Sequence, residues 1–387
     1  MTSLCRRSIL LAMLMLLGFA PARHAQAPAP TTPQIDFSGV LFGNYQYRTD
    51  AQAKDFNKFD LERIYLTFRM PAGENTSIRV TTDLFQQQAT PNDAYYRGWA
   101  LRLKYGYLQY NFLKRGDLAA LARVGMLHTV VIDHEEQFWP RWVAQTPMER
   151  AGLGTAADLG VSTLWTLPRR WGEVYGTITN GPGYTSRETD RFKDGALRLT
   201  LTPLAASRSR LLTSFAISPW VYRGATASRF VTGGAGQVGA VGSGLDRSRW
   251  GVFAGLRDPR LTLGAHYLSF SGEGENGANT LGSPRVVFDT TGRVLSLYGL
   301  AKPLVVFDTA SSRLGVIARW DKVTTNTTTD AAYHVFIAGL TWELSRRATL
   351  AFDYQEQLSD QGIPAGATTT PATPPLKTYF VHFVANF

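Results

Sequence analysis

A short cluster rich in acids and histidines is the first place in the sequence where chemistry could occur. His128, Asp133, His134, Glu135 and Glu136 are residue types that bind metal ions or transfer protons. The spacing does not match the H-E-x-x-H motif of zinc proteases, because no histidine stands at position 138. We therefore expect solvated charges, or charges that line a passage, rather than a metal or cofactor site.

Two pairs of residues resemble fragments of known catalytic sites. Asp133 precedes His134, as in protease pairs, and Ser269 lies near His266, as in lipase pairs. Adjacent residues of a strand face opposite sides, and no third orienting group accompanies either pair. The sequence therefore predicts that the protein is not an enzyme.

Basic residues are the second chemically informative group. The chain has 40 Lys and Arg against 30 Asp and Glu, a formal net charge of +10, and the basic residues are scattered through strand-like segments. Scattering argues against nucleic-acid binding, whereas guanidinium groups along a water-filled interior would attract phosphate or carboxylate. The residues placed on the water-facing side by alternation are Arg63, Arg79, Arg102, Lys104, Arg123, Arg198, Arg249, Arg313 and Arg319.

The alternative is that these cations form ion pairs with interior acids and only stiffen the wall. The acids available for such pairing include Asp83, Glu173, Asp321 and Asp353.

A scaffold of β-strands must position these side chains. From Ile35 onward, segments of alternating apolar and polar residues are separated by Gly, Pro, Asn and Asp, which predicts strands. In the fourth segment, alternation places Tyr105 and Tyr107 opposite Lys104. The predicted strands are 35–49, 58–69, 77–87, 98–112, 120–127, 158–167, 172–180, 192–202, 209–220, 248–256, 260–270, 292–302, 313–321, 332–343, 347–357 and 376–387.

The segments between these strands alternate between short and long. This asymmetry is typical of transmembrane barrels, which have short periplasmic turns and long external loops. The fold class is therefore all-β, a transmembrane antiparallel β-barrel of about 16 strands. The short turns are 70–76, 168–171, 257–260 and 344–347, and the long loops are 128–157, 221–247, 271–291 and 358–375.

The N-terminal region has the pattern of a secretory signal. Arg6 and Arg7 precede an apolar run that is too short to span a membrane, and the small-x-small pattern ending at Ala22 predicts cleavage. Cys5 lies inside this signal, so the mature chain has no cysteine for disulfides or thiol chemistry. The predicted segments are a signal peptide at 1–22 with cleavage possible as late as residue 27, a leader at 23–34, and a barrel at 35–387.

The final segment, YFVHFVANF, alternates strictly and ends on Phe387. Such a strand is expected to close a barrel by pairing with the first strand. It resembles the C-terminal strand by which bacterial outer-membrane barrels are recognised for assembly. The expected partners are therefore the barrel assembly machinery through Phe387, outer-membrane lipid and lipopolysaccharide.

Two stretches resemble the phosphate-selective porin O/P family. Residues 59–85 are similar to an early hairpin of that family, and 124–165 to its strand that leads into a long third loop, with NGPGY (180–184) following. The resemblance implies a homotrimer of barrels in which the third loop, 128–157, folds inward as a constriction. The charged residues of that loop are Asp133, Glu135, Glu136, Arg141, Glu149 and Arg150. The family's lysine cluster is missing, because the lysines here are dispersed.

We expect a passive diffusion channel of the bacterial outer membrane that passes small hydrophilic solutes and prefers anions, phosphate among them. Two alternatives remain open. One is a barrel with an adhesive or structural role, and the other is a barrel that passes apolar solutes.

Overall fold

The computed structural model describes residues 34–87, 98–227, 230–231, 234–235, 244–275, 287–303, 313–360 and 376–387. The predicted signal peptide and the predicted leader up to residue 33 lie outside the described residues. Parts of the predicted loops 221–247, 271–291 and 358–375 lie outside them as well.

Within the described residues, sixteen antiparallel strands form one closed barrel. Each strand pairs with its neighbours in the sequence, and the last pairs with the first. The predicted fold class and strand number are confirmed. The strands, β1 to β16, are Asp36–Arg48, Asn57–Gly73, Thr76–Gln86, Trp99–Arg115, Leu118–His128, Ala157–Thr166, Gly172–Thr179, Asp194–Leu201, Ala216–Ala227, Gly244–Asp258, Leu261–Glu275, Val287–Ala301, Leu314–Asn326, Ala331–Glu343, Ala348–Ser359 and Leu376–Asn386.

Helical structure is confined to single turns in the part of the chain that the structure describes. No helix there is long and apolar enough to cross a membrane. A separate two-stranded hairpin pairs Phe230–Val231 with Gly234–Ala235. The helical turns are α1 (Ile132–Glu135), α2 (Pro147–Arg150), and two 3₁₀ turns at Pro168–Arg170 and Leu212–Ser214.

The barrel closes between β16 and β1, in register from Val40 opposite Asn386 to Arg48 opposite Thr378. The ring of Phe387 covers Gly39, where a Cβ would lie only 2.2 Å from a ring carbon. Glycine at this position leaves room for the terminal aromatic ring to pack on the neighbouring strand. The predicted pairing of the last strand with the first is confirmed.

Side chains alternate between the two surfaces of the wall. On β13, Leu314 and Val316 are 45% and 44% exposed on the outer surface, whereas Ile317 and Arg319 are almost completely buried on the inner surface. Exposed large apolar side chains occur around the outer surface in the same way. This is the arrangement expected of a wall that faces hydrocarbon outside and polar groups inside.

The alternation predicted for β4 is wrong after Leu103. A β-bulge leaves Lys104 without a partner on β3, since Leu103 pairs with Thr82 and Tyr105 pairs with Thr81. The extra residue reverses the faces that follow it. Tyr105 and Tyr107 therefore join Lys104 on the inner surface, where all three are buried.

The predicted start of β9 at residue 209 is also wrong, because β9 begins at Ala216. In the turn that precedes β9, side-chain hydroxyls bond to backbone carbonyls that would otherwise pair with a neighbouring strand. Thr213 donates to the carbonyl of Arg210 and Ser214 donates to that of Leu211, each at 2.8 Å. The connection at 202–215 is consequently long although it lies at the end of the barrel with the short turns. The asymmetry between the two ends is therefore less regular than predicted.

Candidate functional site

The connection between β5 and β6, residues 129–156, lies inside the barrel and is called the inner loop. Its Trp139 is completely buried, and the ring packs against Tyr298 of β12 with centroids 5.3 Å apart. Phe138 of the loop packs against Phe253 of β10, and Val143 belongs to the same apolar cluster. This cluster also includes inner-surface residues of β13, β14 and β15. The loop is thus attached to the wall by apolar burial, the strongest general source of stability.

A second apolar cluster attaches the two ends of the inner loop. Val130 and Val131 near its start, and Met148 near its end, pack with inner-surface residues of β7, β9, β11, β12 and β13. Trp220 of β9 is among the buried members. The interior of β7 to β15 is therefore covered by the inner loop, and we call it the covered wall.

Hydrogen bonds to the loop backbone fix its position further. The guanidinium of Arg319 donates to the carbonyl of Gln145, and the amide of Gln355 donates to the carbonyl of Val143 at 3.2 Å. Arg198 donates to the carbonyl of Val130. Backbone carbonyls removed from water need such donors, so the covered wall supplies polar anchors as well as apolar contacts.

A cavity of about 240 Å³ separates the inner loop from the opposite side of the barrel. We call it the passage. Its two sides belong to different parts of the chain. The barrel side consists of Val40, Phe42, Tyr65, Thr67, Arg79, Thr81, Lys104 and Tyr105 from β1 to β4, and the loop side consists of Asp133, Glu136, Arg141 and Trp142.

Two of the predicted interior cations are held by one acid. Arg102 lies 2.7 Å from a carboxylate oxygen of Asp83, and Arg63 lies 3.5 Å from the other oxygen. The Asp83 side chain is completely buried between them. For Arg63 and Arg102, the alternative that interior cations form ion pairs with acids of the wall is therefore correct. One acid here faces two cations.

On β3 to β5, three other predicted cations form no ion pair with a carboxylate among the described residues. Arg79 donates to Nε2 of His128 at 2.9 Å and lies 4.6 Å from the ring centre of Tyr105. Lys104 places its ammonium 4.1 Å from the ring centre of Tyr65. Such cation–π contacts stabilise a charge without neutralising it.

Arg123 completes this group at a position closer to the end of the barrel where β1 begins and β16 ends. It donates to Gln109 at 2.9 Å and its guanidinium lies 5.1 Å from the ring centre of Tyr107. Its positive charge is therefore also left without a carboxylate partner in the described part of the chain.

The remaining predicted cations lie elsewhere. Arg198 and Arg319 face the interior, as alternation predicts, but they are buried beneath the inner loop and paired with Glu173 and Asp321. Arg249 lies over the ring of Tyr222 on the covered wall. Arg313 is exposed in the connection before β13. The acid Asp353 pairs with His382 rather than with an arginine.

On the loop side of the passage, Asp133 is the most accessible acid. It lies 2.7 Å from Nδ1 of His128, and 42% of its side chain is exposed, as expected of a group that borders a narrow wet space. Burial by surrounding atoms would raise the pKa of Asp133, but the interaction with His128 and the nearby arginines lowers it to about 2. Asp133 therefore carries a negative charge at neutral pH.

Glu136, Arg141 and Glu149 form an ionic group beside Asp133. Arg141 Nε lies 3.1 Å from Glu149 and 3.8 Å from Glu136. Burial raises the pKa of Glu136, and the neighbouring Lys104 and Arg141 offset only part of this effect. The pKa of Arg141 is also raised, because the acids around it outweigh the effect of burial.

The other charged residues predicted for the constriction have structural partners. Glu135 is completely buried, 3.2 Å from Nδ1 of His266, and accepts a hydrogen bond from Tyr298 at 3.2 Å. Arg150 donates weakly to Gln355 at 3.5 Å, and burial lowers its pKa. Glu135 and Arg150 therefore attach the loop to the covered wall and do not border the passage.

The side chains of the acidic and histidine-rich cluster point to different partners. His134 is hydrogen-bonded with Ser218 at 2.9 Å, and burial lowers the pKa of His134 to about 3. Ser218 is completely buried, so no substrate reaches this serine–histidine pair. Asp133 contacts His128 rather than His134, and Ser269 donates to the backbone of Gly292 at 3.5 Å.

Sequence reasoning missed the aromatic rings that lie beneath the cations. Tyr65, Tyr105 and Tyr107 are on strands adjacent to the basic residues, but the pairing register decides whether a ring and a charge meet. A correctly assigned bulge at Lys104 would have placed two of these rings on the inner surface.

The closed barrel with a loop packed inside it has the architecture of transmembrane β-barrels. No protein-family model matches the chain, and no curated protein matches it. Solved structures of bacterial porins have the same fold. An anion-selective porin from Comamonas acidovorans superposes with a TM-score of 0.60 at 11% identity, covering 92% of this chain and 100% of that chain.

Two further structures give similar values. OmpF of Salmonella typhi in complex with daunomycin has a TM-score of 0.59 at 10% identity, covering 92% of this chain and 98% of that one. OmpT of Vibrio cholerae, an outer membrane protein in a trimer form, has a TM-score of 0.57 at 11% identity, covering 92% and 100%. These similarities establish the fold. The narrower resemblance to the phosphate-selective O/P family stays a prediction.

Proposed function

We propose that the protein is a porin of the bacterial outer membrane, a passive channel for small hydrophilic solutes that prefers anions. The observation that carries this proposal is the passage, in which Arg79 and Lys104 face a cavity of about 240 Å³ without a carboxylate partner among the described residues. An unneutralised charge beside a narrow water-filled space selects ions of opposite sign.

The distribution of charge along the barrel side supports the anion preference. The interior of β2 to β5 carries Arg63, Arg79, Arg102, Lys104 and Arg123, opposed on these strands by the carboxylates of Asp83 and of Glu62, which accepts a hydrogen bond from the buried Asn44. A solute that moves along this wall therefore meets successive positive groups. Guanidinium donors suit both phosphate and carboxylate, so phosphate is included among the proposed solutes.

The inner loop supplies the proposed constriction, because it occupies the interior beside the covered wall and leaves the passage on the other side. Asp133, Glu136 and Arg141 border the passage on the loop side. They would reduce, but not reverse, the excess of positive charge from the barrel side.

The remaining parts of the proposal concern the cell. Export through a cleaved signal peptide, contact with outer-membrane lipid and lipopolysaccharide, recognition of the strand ending at Phe387 by the assembly machinery, and assembly as a homotrimer fit the fold. A channel without catalytic activity also fits the burial of Ser218 beneath the inner loop.

Recording from the purified full-length protein in a planar lipid bilayer tests the proposal. We expect discrete conductance steps and, in a tenfold KCl gradient, a reversal potential of the sign given by chloride permeation. Absence of steps from protein that remains heat-resistant and folded would overturn the channel function. A reversal potential of the opposite sign would overturn the anion preference alone.

A further inference from the structure

Lys104 presents an unused positive charge to the passage. The residue is only 4% exposed, and its ammonium makes neither a hydrogen bond nor an ion pair within the described ranges. The ring of Tyr65 lies beneath the ammonium at 4.1 Å, and the ring of Tyr105 is also close, at 5.4 Å. A buried ammonium normally has hydrogen-bond acceptors, so this one is arranged for an acceptor that comes from the solute.

Glu136 presents an incompletely satisfied negative charge from the other side of the passage. One of its carboxylate oxygens is buried and receives no hydrogen bond from any described residue. The nearest guanidinium nitrogen, Nε of Arg141, is 3.8 Å away and is shared with Glu149. Asp133 adds a second, partly exposed carboxylate next to it.

Lys104 and Glu136 border the same passage, yet they do not form an ion pair with each other. A solute with one charge can satisfy only one of them and is repelled by the other. A solute with a carboxylate and an ammonium group can satisfy both at once, since each charged group then meets a partner of opposite sign.

Aromatic side chains complete the passage. Phe42 packs edge-on against Tyr65 with ring centres 5.8 Å apart, and Trp142 borders the loop side. The passage, at about 240 Å³, is many times larger than the ~10–15 Å³ that a single water needs by the same measure. This is room for one amino acid with an aromatic side chain, whose ring would lie against the rings of the wall.

We propose that the passage preferentially binds and passes small zwitterions, namely amino acids with an aromatic or apolar side chain. Lys104, assisted by Arg79, receives the carboxylate, and Glu136, assisted by Asp133, receives the ammonium. This inference rests on the proposed function, because it specifies the solute of the same channel.

The test is block of the KCl current through the purified full-length protein at pH 7 by three solutes with the same ring. L-phenylalanine carries both charges, 3-phenylpropionate carries the carboxylate alone, and 2-phenylethylamine carries the ammonium alone. We expect L-phenylalanine to halve the current at a concentration about tenfold below that of either of the others, because it gains one more charge-assisted hydrogen bond. Equal potency of the zwitterion and the anion would overturn the proposal.

Two variants test which residue binds the carboxylate of the zwitterion and which binds its ammonium. Lys104→Met should weaken block by L-phenylalanine about tenfold and leave block by phenylethylamine no weaker, whereas Glu136→Gln should weaken block by L-phenylalanine without weakening block by phenylpropionate. The matched controls are Lys322→Met, on the outer surface opposite His334, and Glu74→Gln, in an exposed turn. Both controls should behave as the unaltered protein does.

The outcomes separate the two proposals. If the protein conducts KCl but neither variant changes block by L-phenylalanine, the zwitterion site is wrong and the channel remains. If folded protein shows no conductance at all, the proposed function itself is wrong. Unchanged resistance to heat denaturation in detergent shows that each variant has folded.

Discussion

Replacement of Lys104 by methionine should reduce the anion preference of the channel by about tenfold. A cavity of about 240 Å³, treated as a sphere, has a radius of about 4 Å, so an ion at its centre lies about that far from the ammonium. One unit charge at this distance in water contributes about 1 kcal/mol. The charge favours an anion and disfavours a cation by this amount, so the difference between the two ions is about 2 kcal/mol.

Dissolved salt lowers this value. At 0.1 M the screening length is about 10 Å, which removes about a third of the interaction over 4 Å and leaves about 1.4 kcal/mol. That energy corresponds to about a tenfold change in the ratio of anion to cation permeability. A lower effective dielectric constant inside the barrel would make the change larger.

The assay is the reversal potential in a KCl gradient across a planar bilayer. Methionine keeps an unbranched side chain for the contact with Tyr65, and Lys104 forms no ion pair among the described residues, so the barrel should fold. Lys104→Arg should retain the preference, and Lys322→Met on the outer surface should leave it unchanged. An unchanged permeability ratio in folded Lys104→Met would refute the conclusion that this ammonium faces the conduction path.

Three further predictions follow from the inner loop and the wall. Lowering the pH from 7 towards 4 should increase the anion preference, because the pKa of Glu136 is raised and Glu136 therefore loses its negative charge before Asp133, whose pKa is about 2. The reversal potential in a KCl gradient measures this change, and in Glu136→Gln the change should be absent. Trp139→Ala should give a larger and noisier single-channel conductance, since losing a buried Trp costs about 3–5 kcal/mol of attachment to the wall. Gly125→Ala should lower the unfolding temperature, because φ is +128° and the new Cβ would lie 2.2 Å from a backbone oxygen, whereas Gly195→Ala, with open space around it, should not.

The barrel could be predicted from the sequence because its signals are local. Alternation within each segment and the apolar face of the last strand identified the sixteen strands and the pairing of β16 with β1. These features depend only on which side of a strand each residue faces. One error arose where a single residue changes the pattern, as the bulge at Lys104 does for Tyr105 and Tyr107. The other arose where hydroxyls of Thr213 and Ser214 form a turn in place of the predicted start of β9.

The candidate site could be predicted only in part, because it depends on contacts between distant segments. The basic residues were identified by residue type and by their position in the alternation of side chains along each strand. The sequence did not indicate that Arg198 and Arg319 would be covered by the inner loop while Arg79 and Lys104 would stay beside the passage. That division follows from where Trp139 and its neighbours pack, which is a property of the assembled interior.

The one-sided attachment of the inner loop divides the interior into two regions that tolerate change differently. On the covered wall, a smaller side chain in place of Phe253 or Ile337 would open a cavity under the loop and cost several kcal/mol. On the barrel side of the passage, a replacement at Val40 or Arg79, which are only partly buried, mainly alters the charge or width that a solute encounters. Divergence in solute preference can therefore accumulate on β1 to β4 while the packing that holds the loop is retained.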